Sequence, residues 1–522
     1  RMALLGLLEF YSARNALAAL AALVLLLVWL WPRGLQAPKK GFRWLGRMEN
    51  VVHSIARTSG HMNVSVALQL QGAVDVEGMQ LAVEVLQGRH ALLRSLVTDV
   101  NGAPALGEGA TAGGPAPLVV AHASVPNEWE AVLERELNTP FAARAPPFRC
   151  TLLHAADHAS SDLVVTGRLG LLDCKALLQL ADELLSAYLA LMQAHGDAPA
   201  ALPGGLASAP AVEACVRRLL VPSEPLPPPV DVLYPGLLAR DASSPGLRLF
   251  CKHLWFLVRK HALRFPDSLK NTAPRAPARV GWETGLASFQ LPAEETSGLL
   301  RLCEERSVAL DCVVFVAVVM ALAQFMDATG LLRHPEQSFI RLWGLMQVDL
   351  RPSCATQGIS ACSLGLFTSF LDFVVHVDRR TDLGEAVDSM WFFAGRVGGD
   401  IGQSLASGRH LCSLVFAEKI SSFFAVYSKY VATPQPCPAF VLTPIDGDAL
   451  SHYANTALRL KDIRLATSSA TSYPMPLVTS YLHAGRLHCS VSYSTGTTCP
   501  ATAAALAANM RTLLHDLCAS EG

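Results

Sequence analysis

The sequence predicts a mixed α/β protein whose second half repeats the style of its first. Three observations carry this. Hydrophobic residues make up 51% of the 522 positions and charged residues only 16%, which supplies a large core and excludes a disordered chain. Strand-like alternation and helix-like spacing follow one another through both halves. The stretch between Asp162 and Gln193 reads as an apolar strand (163–166), a tight turn through Gly167 and Gly170, and a long helix. Asp173 is that helix's N-cap, and Leu177, Leu180, Leu184, Tyr188 and Leu191 recur along one buried face.

In chain order, the apolar run that starts at Ala16 and ends at Trp31 is bounded by Arg14 and Arg33 and is just long enough to cross a bilayer as a helix. Trp29 and Trp31 suit an interface, and Arg33, Lys39, Lys40, Arg43 and Arg47 follow it, so a single-pass anchor would leave the body of the protein in the cytosol. A cleaved signal peptide and an organellar transit peptide are the alternatives. The body opens near Met48. Val64, Val66, Leu68 and Leu70 alternate as in a half-buried strand, and Asp75 caps a helix carrying Met79, Ala82, Val83 and Leu86 on one face. The Gly- and Ala-rich stretch 102–114 reads as an exposed loop; with no GK[ST] after it, it is no phosphate cradle. A short helix (129–137) and a strand (148–153) lead to the turn, where His154 and His158 flank a hairpin. Prolines crowd the segment 196–280, a linker over the surface, and 247–261 packs as an apolar helix with a basic end. In the second half, Asp311 caps a very apolar helix (312–325) too short for a second span, and Leu371, Phe373, Val375 and Val377 alternate in a strand. A strand (487–493) and a helix (501–517) close the chain.

The formal net charge of −1 gives no electrostatic case for nucleic acid. Thirteen cysteines stand singly, without a CxxC, mostly inside apolar runs. They read as small core residues of a reducing compartment rather than a disulfide or zinc framework.

With its flanks, the stretch around Asp173 resembles the signature region of the chloramphenicol acetyltransferase (CoA-dependent acyltransferase) superfamily, particularly alcohol acetyltransferases and the condensation domains of nonribosomal peptide synthetases. There a strand of the form LLLTAHH runs into xxxDG and a leucine-rich helix. Laid on this sequence, the motif's first His falls on Arg168, its second on Leu169, its Asp on Asp173 and its Gly on Cys174. Further similarities follow in order: GAVDVEGMQLAVEVLQ with RHALLRS, in which His90 is structural; FQLPAEETSGLLRLCEERSVALDCVVFVAVVMALA; VDLRP at Val348 to Pro352; and the closing strand and helix. VLTPIDG lies where alcohol acetyltransferases carry SNxG beside the acyl site; Thr443 fits the Ser, with Pro444 and Asp446 in place of Asn and Gly.

The resemblance covers Met48 to Leu517. With the anchor and its basic flank placed at 1–47 by the apolar run, it implies an acyltransferase-like lobe at 48–195, the linker and crossing segment at 196–280, and a second such lobe at 281–522, the lobes meeting at a channel that takes an acyl donor such as acyl-CoA. It also implies a structural ion pair between Asp173 and Arg351. In the family the second His takes the acceptor's proton. Leucine has no lone pair for that, and a guanidinium has no acceptor atom; neither GxSxG nor HExxH supplies a substitute. Three readings follow: a membrane-anchored acyltransferase-like protein with a degenerate HHxxxDG motif, weak or inactive and retaining the channel for acyl-CoA, lipid or alcohol; a working O-acyltransferase with a non-standard base; and a structural partner with a closed channel.

Overall fold

Asp75 marks how closely local sequence fixes the elements: its carboxylate accepts the Gly78 N–H at 2.6 Å, capping the helix that starts one residue later. The computed structural model describes residues 42–519, apart from 109–117, 197–209, 221–224, 235–282, 331–336, 379–382, 415–438, 470–474 and a few shorter gaps. The first half runs β1 (Phe42–Trp44), α1 (Arg47–Ser59), β2 (Asn63–Gln71), α2 (Val76–Arg89), β3 (Ser95–Val100), β4 (Ala103–Glu108), β5 (Leu118–His122), α3 (Glu128–Asn138), β6 (Phe148–His154), β7 (Ser160–Arg168), α4 (Cys174–Gly196) and α5 (Pro210–Leu219). The second runs β8 (Thr284–Leu291), α6 (Ala293–Glu305), α7 (Leu310–Ala328), β9 (Phe339–Asp349), β10 (Thr368–Asp378), α8 (Leu383–Ala406), β11 (Phe440–Asp448), β12 (Arg459–Thr467), β13 (Leu477–His483), β14 (Arg486–Ser494) and α9 (Pro500–Ala519).

Two mixed sheets organise these elements, one per lobe. The first has the order β12-β2-β7-β6-β5, antiparallel except for the parallel pair β5 and β6. The second has the order β10-β9-β11-β13-β14-β8, with β11 parallel to both β9 and β13. A small sheet, β1-β4-β3, lies beside the first lobe. The predicted faces pack as their spacing requires: Leu177, Leu180, Leu184, Tyr188 and Leu191 of α4 enter the first core, and Leu371, Phe373 and Val377 of β10 enter the second.

The lobes are interlocked. Strand β12 comes from the second half, yet it pairs with β2 of the first sheet from Arg459 opposite Gln71 to Thr467 opposite Val64. Tyr481 on β13 pins it there: its hydroxyl accepts the Leu465 N–H at 3.2 Å and donates to the Ile463 carbonyl at 3.0 Å, in a fully buried position. Across the same seam, Asn138 and Thr284 exchange two hydrogen bonds of 2.7 and 2.9 Å.

Several expectations need correction. Strand β2 is buried on both faces rather than one, because Ala67 packs with Trp129 and Leu133 of α3 while Val64, Val66 and Leu68 face the α4 side. The first part of the stretch read as a loop, residues 103–108, forms β4 instead, and its remainder, 109–114, lies outside the described residues. Gly102, at φ 81°, makes the hairpin turn, and β1 and β3 supply backbone partners on both edges. Gly167 lies within β7, so the turn begins only after Arg168. Asp311 sits inside the first turn of α7, whose N-cap is Ala309. That helix, at 19 residues, is long enough to cross a membrane; 72% of its apolar window is buried in the protein, so burial rather than length marks it as a core helix. The run from Ala16 to Trp31 and the segment 247–261 lie outside the described residues.

Tyr481→Phe leaves a buried N–H and a buried carbonyl on β12 unsatisfied, and is expected to cost about 1–3 kcal/mol in a urea melt. An unchanged midpoint would show that β12 is held by its ladder alone.

Candidate functional site

The turn between β7 and α4 is fixed on three sides. The Leu169 N–H donates to the Met62 carbonyl at 3.0 Å, extending the pairing of β2 and β7 by one residue. Leu171 and Leu172 both donate to the Arg168 carbonyl, at 2.9 and 3.0 Å, closing the turn. Above it lies α1: a Cβ at Gly170 would sit 3.5 Å from the Val52 side chain and the Glu49 carbonyl, ordinary contact distance for a helix laid directly on the turn.

At the end of the turn, Asp173 accepts the Ala176 N–H at 2.8 Å on Oδ1 as the helix N-cap, and the Phe367 N–H at 2.9 Å on Oδ2. Arg351, just beyond β9 in the other lobe, brings Nη2 to 2.9 Å from Asp173 Oδ1. Its other nitrogens are engaged as well: Nη1 reaches Asp349 Oδ1 at 2.9 Å, and Nε reaches the Ser363 carbonyl at 3.0 Å. Lys175 closes the network on Asp349 Oδ2 at 2.8 Å. Side-chain exposure is 0% for Arg351 and 1% for Asp173, so water contributes nothing and protein groups do all the solvation. Burial alone would lower the Arg351 pKa; the Asp173 and Asp349 carboxylates outweigh it and hold the pKa above its ordinary value.

The other expected positions disperse. The Leu169 side chain packs against the first core, while Arg168 turns into a cavity on the α1 side. Cys174 is buried, and burial together with the Asp173 charge pushes its thiol up, out of the range of a nucleophile. Thr443 lies in mid-sheet on β11 with its hydroxyl donating to Gln347 Oε1 at 2.8 Å, and does not line that cavity. Asp446 of the same segment lines a separate space of about 210 Å³ with Asp311. His90 is buried with Nε2 2.7 Å from Glu183 Oε2, a structural contact between α2 and α4. His154 pairs with Ser161, and His158 lies outside the described residues.

The cavity beside the turn measures about 430 Å³ and is walled by α1, the start of β2, the hairpin of β3 and β4, and Arg168, Gly170 and Leu171. It carries two histidines that sequence reasoning passed over, His53 and His61. Burial lowers the pKa of His53, reinforced by the Arg168 and Arg57 charges; burial also lowers that of His61, against an opposing pull from Glu283. Both are therefore neutral at pH 7, each with a ring nitrogen able to accept a proton. No local pattern signals them: the pairing that carries Met62 to Leu169, and so brings His61 near the turn, is a long-range contact. Among the described residues, no cluster of three His, Cys, Asp or Glu is placed to hold a metal ion. Arg351→Met strands the Asp173 carboxylate in the interior and is expected to cost about 3–5 kcal/mol; adding Asp173→Asn should cost less than the sum of the two single changes. Strict additivity by chemical denaturation would contradict the coupling.

No family model matches the chain, and no curated protein matches it in sequence. Solved structures do. Polyketide synthase associated protein 5 from Mycobacterium tuberculosis superposes with a TM-score of 0.61 at 18% identity, over 92% of this chain and 99% of that one. The trichothecene 15-O-acetyltransferase of Fusarium sporotrichioides gives 0.64 at 12% identity, over 92% and 97%. The first condensation domain of the CDA synthetase gives 0.64 at 15% identity, over 92% and 97%. Likeness along nearly the whole of each chain identifies the architecture: two sheet-rich lobes in the fold that these acetyltransferase and condensation-domain structures share.

Proposed function

We propose that this chain is an acyltransferase-like protein with weak or no transfer activity that keeps a ligand cavity beside its motif turn. One observation carries the reading. At the position where the superfamily motif puts its proton acceptor there is a leucine packed on the core, while the Asp173 and Arg351 network that shapes the turn is complete. A general base is worth about 10²–10⁴ in rate, so its loss removes most of the chemistry and none of the scaffold. Acyl-CoA fits as the donor, since a CoA-dependent fold surrounds the site, and an alcohol or lipid as the other ligand. The reading includes a single anchor formed by the run from Ala16 to Trp31, with the body facing the cytosol.

A second reading has a specific observation in its favour. His53 and His61 place neutral imidazoles on the cavity wall, next to the turn, where a non-standard base would be needed. Proximity together with such a base could sustain transfer.

Acetyl-CoA turnover by the purified full chain with a panel of alcohols separates the two. The expected result is a rate near background, raised roughly 10²-fold by Leu169→His. Brisk turnover by the unaltered chain, lost in His53→Ala or His61→Ala, would establish the second reading instead.

A further inference from the structure

We infer that the cavity under α1 binds a small ligand carrying one oxyanion, a carboxylate or a phosphate, on an apolar body. The inference rests on that cavity being a ligand site and does not depend on whether transfer survives. Its anchor is Arg168. This side chain is half-buried at the end of β7, and its partners are the Ala142 carbonyl, 3.3 Å from Nη2, and the face of Phe141, 5.5 Å away. Among the described residues no carboxylate pairs with it. Elsewhere the same fold surrounds a buried guanidinium with acceptors, as Arg351 shows with two carboxylates and two carbonyls.

The acidic groups on the cavity wall do not offset Arg168. Glu49 is engaged by Arg43 at 2.7 and 2.8 Å and by the Gly46 N–H at 2.7 Å. Asp99 stands on the exposed hairpin with Oδ1 held by the Gly102 N–H at 2.7 Å. A second cation, Arg57, lies exposed on α1 at the same wall. Burial lowers the Arg168 pKa from its ordinary value. A partly desolvated cation without a counter-charge is costly, and a ligand anion is the group that removes the cost.

The rest of the wall fits the remainder of such a molecule. Arginine's planar fork matches a carboxylate or phosphate with two parallel hydrogen bonds. His53, to which no described residue offers a hydrogen bond, adds a polar contact, and Val52, Val97 and Leu171 supply an apolar surface.

Isothermal titration calorimetry of the full chain with benzoate, phenyl phosphate and neutral phenol tests this. At least one anion should bind about tenfold or more tightly than phenol, and the stronger of the two identifies the oxyanion. Arg168→Gln should weaken that anion about tenfold and leave phenol unchanged. Arg57→Gln, at an exposed position, should weaken it by a smaller factor, and serves if the first variant fails to fold. Arg301→Gln, on the outside of α6, should change nothing. Binding of phenol as tight as that of the anions, no anion binding, or full affinity in the charge-deleted variants would overturn the inference. Acyl transfer measured on the same samples separates the outcomes: lost anion binding at background turnover refutes only this inference, and brisk turnover with anion binding intact refutes only the functional reading above.

Discussion

A carboxylate and a guanidinium, both shut away from water, hold the turn between β7 and α4 in one lobe to the end of a strand in the other. Asp173 serves three partners at once: the N-terminus of α4, the backbone after the loop that follows β9, and Arg351. Such a pair tolerates little rearrangement, because any displacement leaves a charge buried without solvation. The turn's geometry therefore persists irrespective of what residues 168 and 169 do. This explains how a chain can keep the two-lobed architecture at 12–18% identity to its solved counterparts.

The interlocking of the lobes has the same character. With β12 paired to β2, and Tyr481 holding β12 from the second lobe's own sheet, neither half completes its structure alone. A cavity beside the turn is thus walled by rigid elements: α1 laid on Gly170, the start of β2 locked by pairing, and β4 zipped between β1 and β3. Rigid walls can keep a polar lining pre-organised for a ligand without contributing a reaction.

Much of this was legible in the sequence. The Asp173 cap, the apolar stripe of α4 and the alternation in β10 are local patterns, and local patterns set local structure. The pairing of Asp173 with Arg351 came from family resemblance and not from any pattern in the residues between them, since 178 positions separate the two. Long-range arrangements were the blind spot. The stretch at 103–108 looks like a loop by composition and becomes a strand because two neighbours supply its hydrogen bonds. The double burial of β2 depends on α3 covering its second face, which nothing in residues 63–71 announces. His53 and His61 share a cavity only because α1 folds back over the turn. A histidine near an apolar stripe is usually structural, as His90 proves to be, so neither stood out beforehand.

We propose that no proton acceptor operates at this turn, and the pH dependence of whatever acyl transfer the full chain performs tests this most directly. A slow rate that rises about tenfold per pH unit with hydroxide, with no inflection in the imidazole range, is expected. A rate that levels off above a single ionisation near or below pH 6.5, abolished by His53→Ala or His61→Ala, would contradict it.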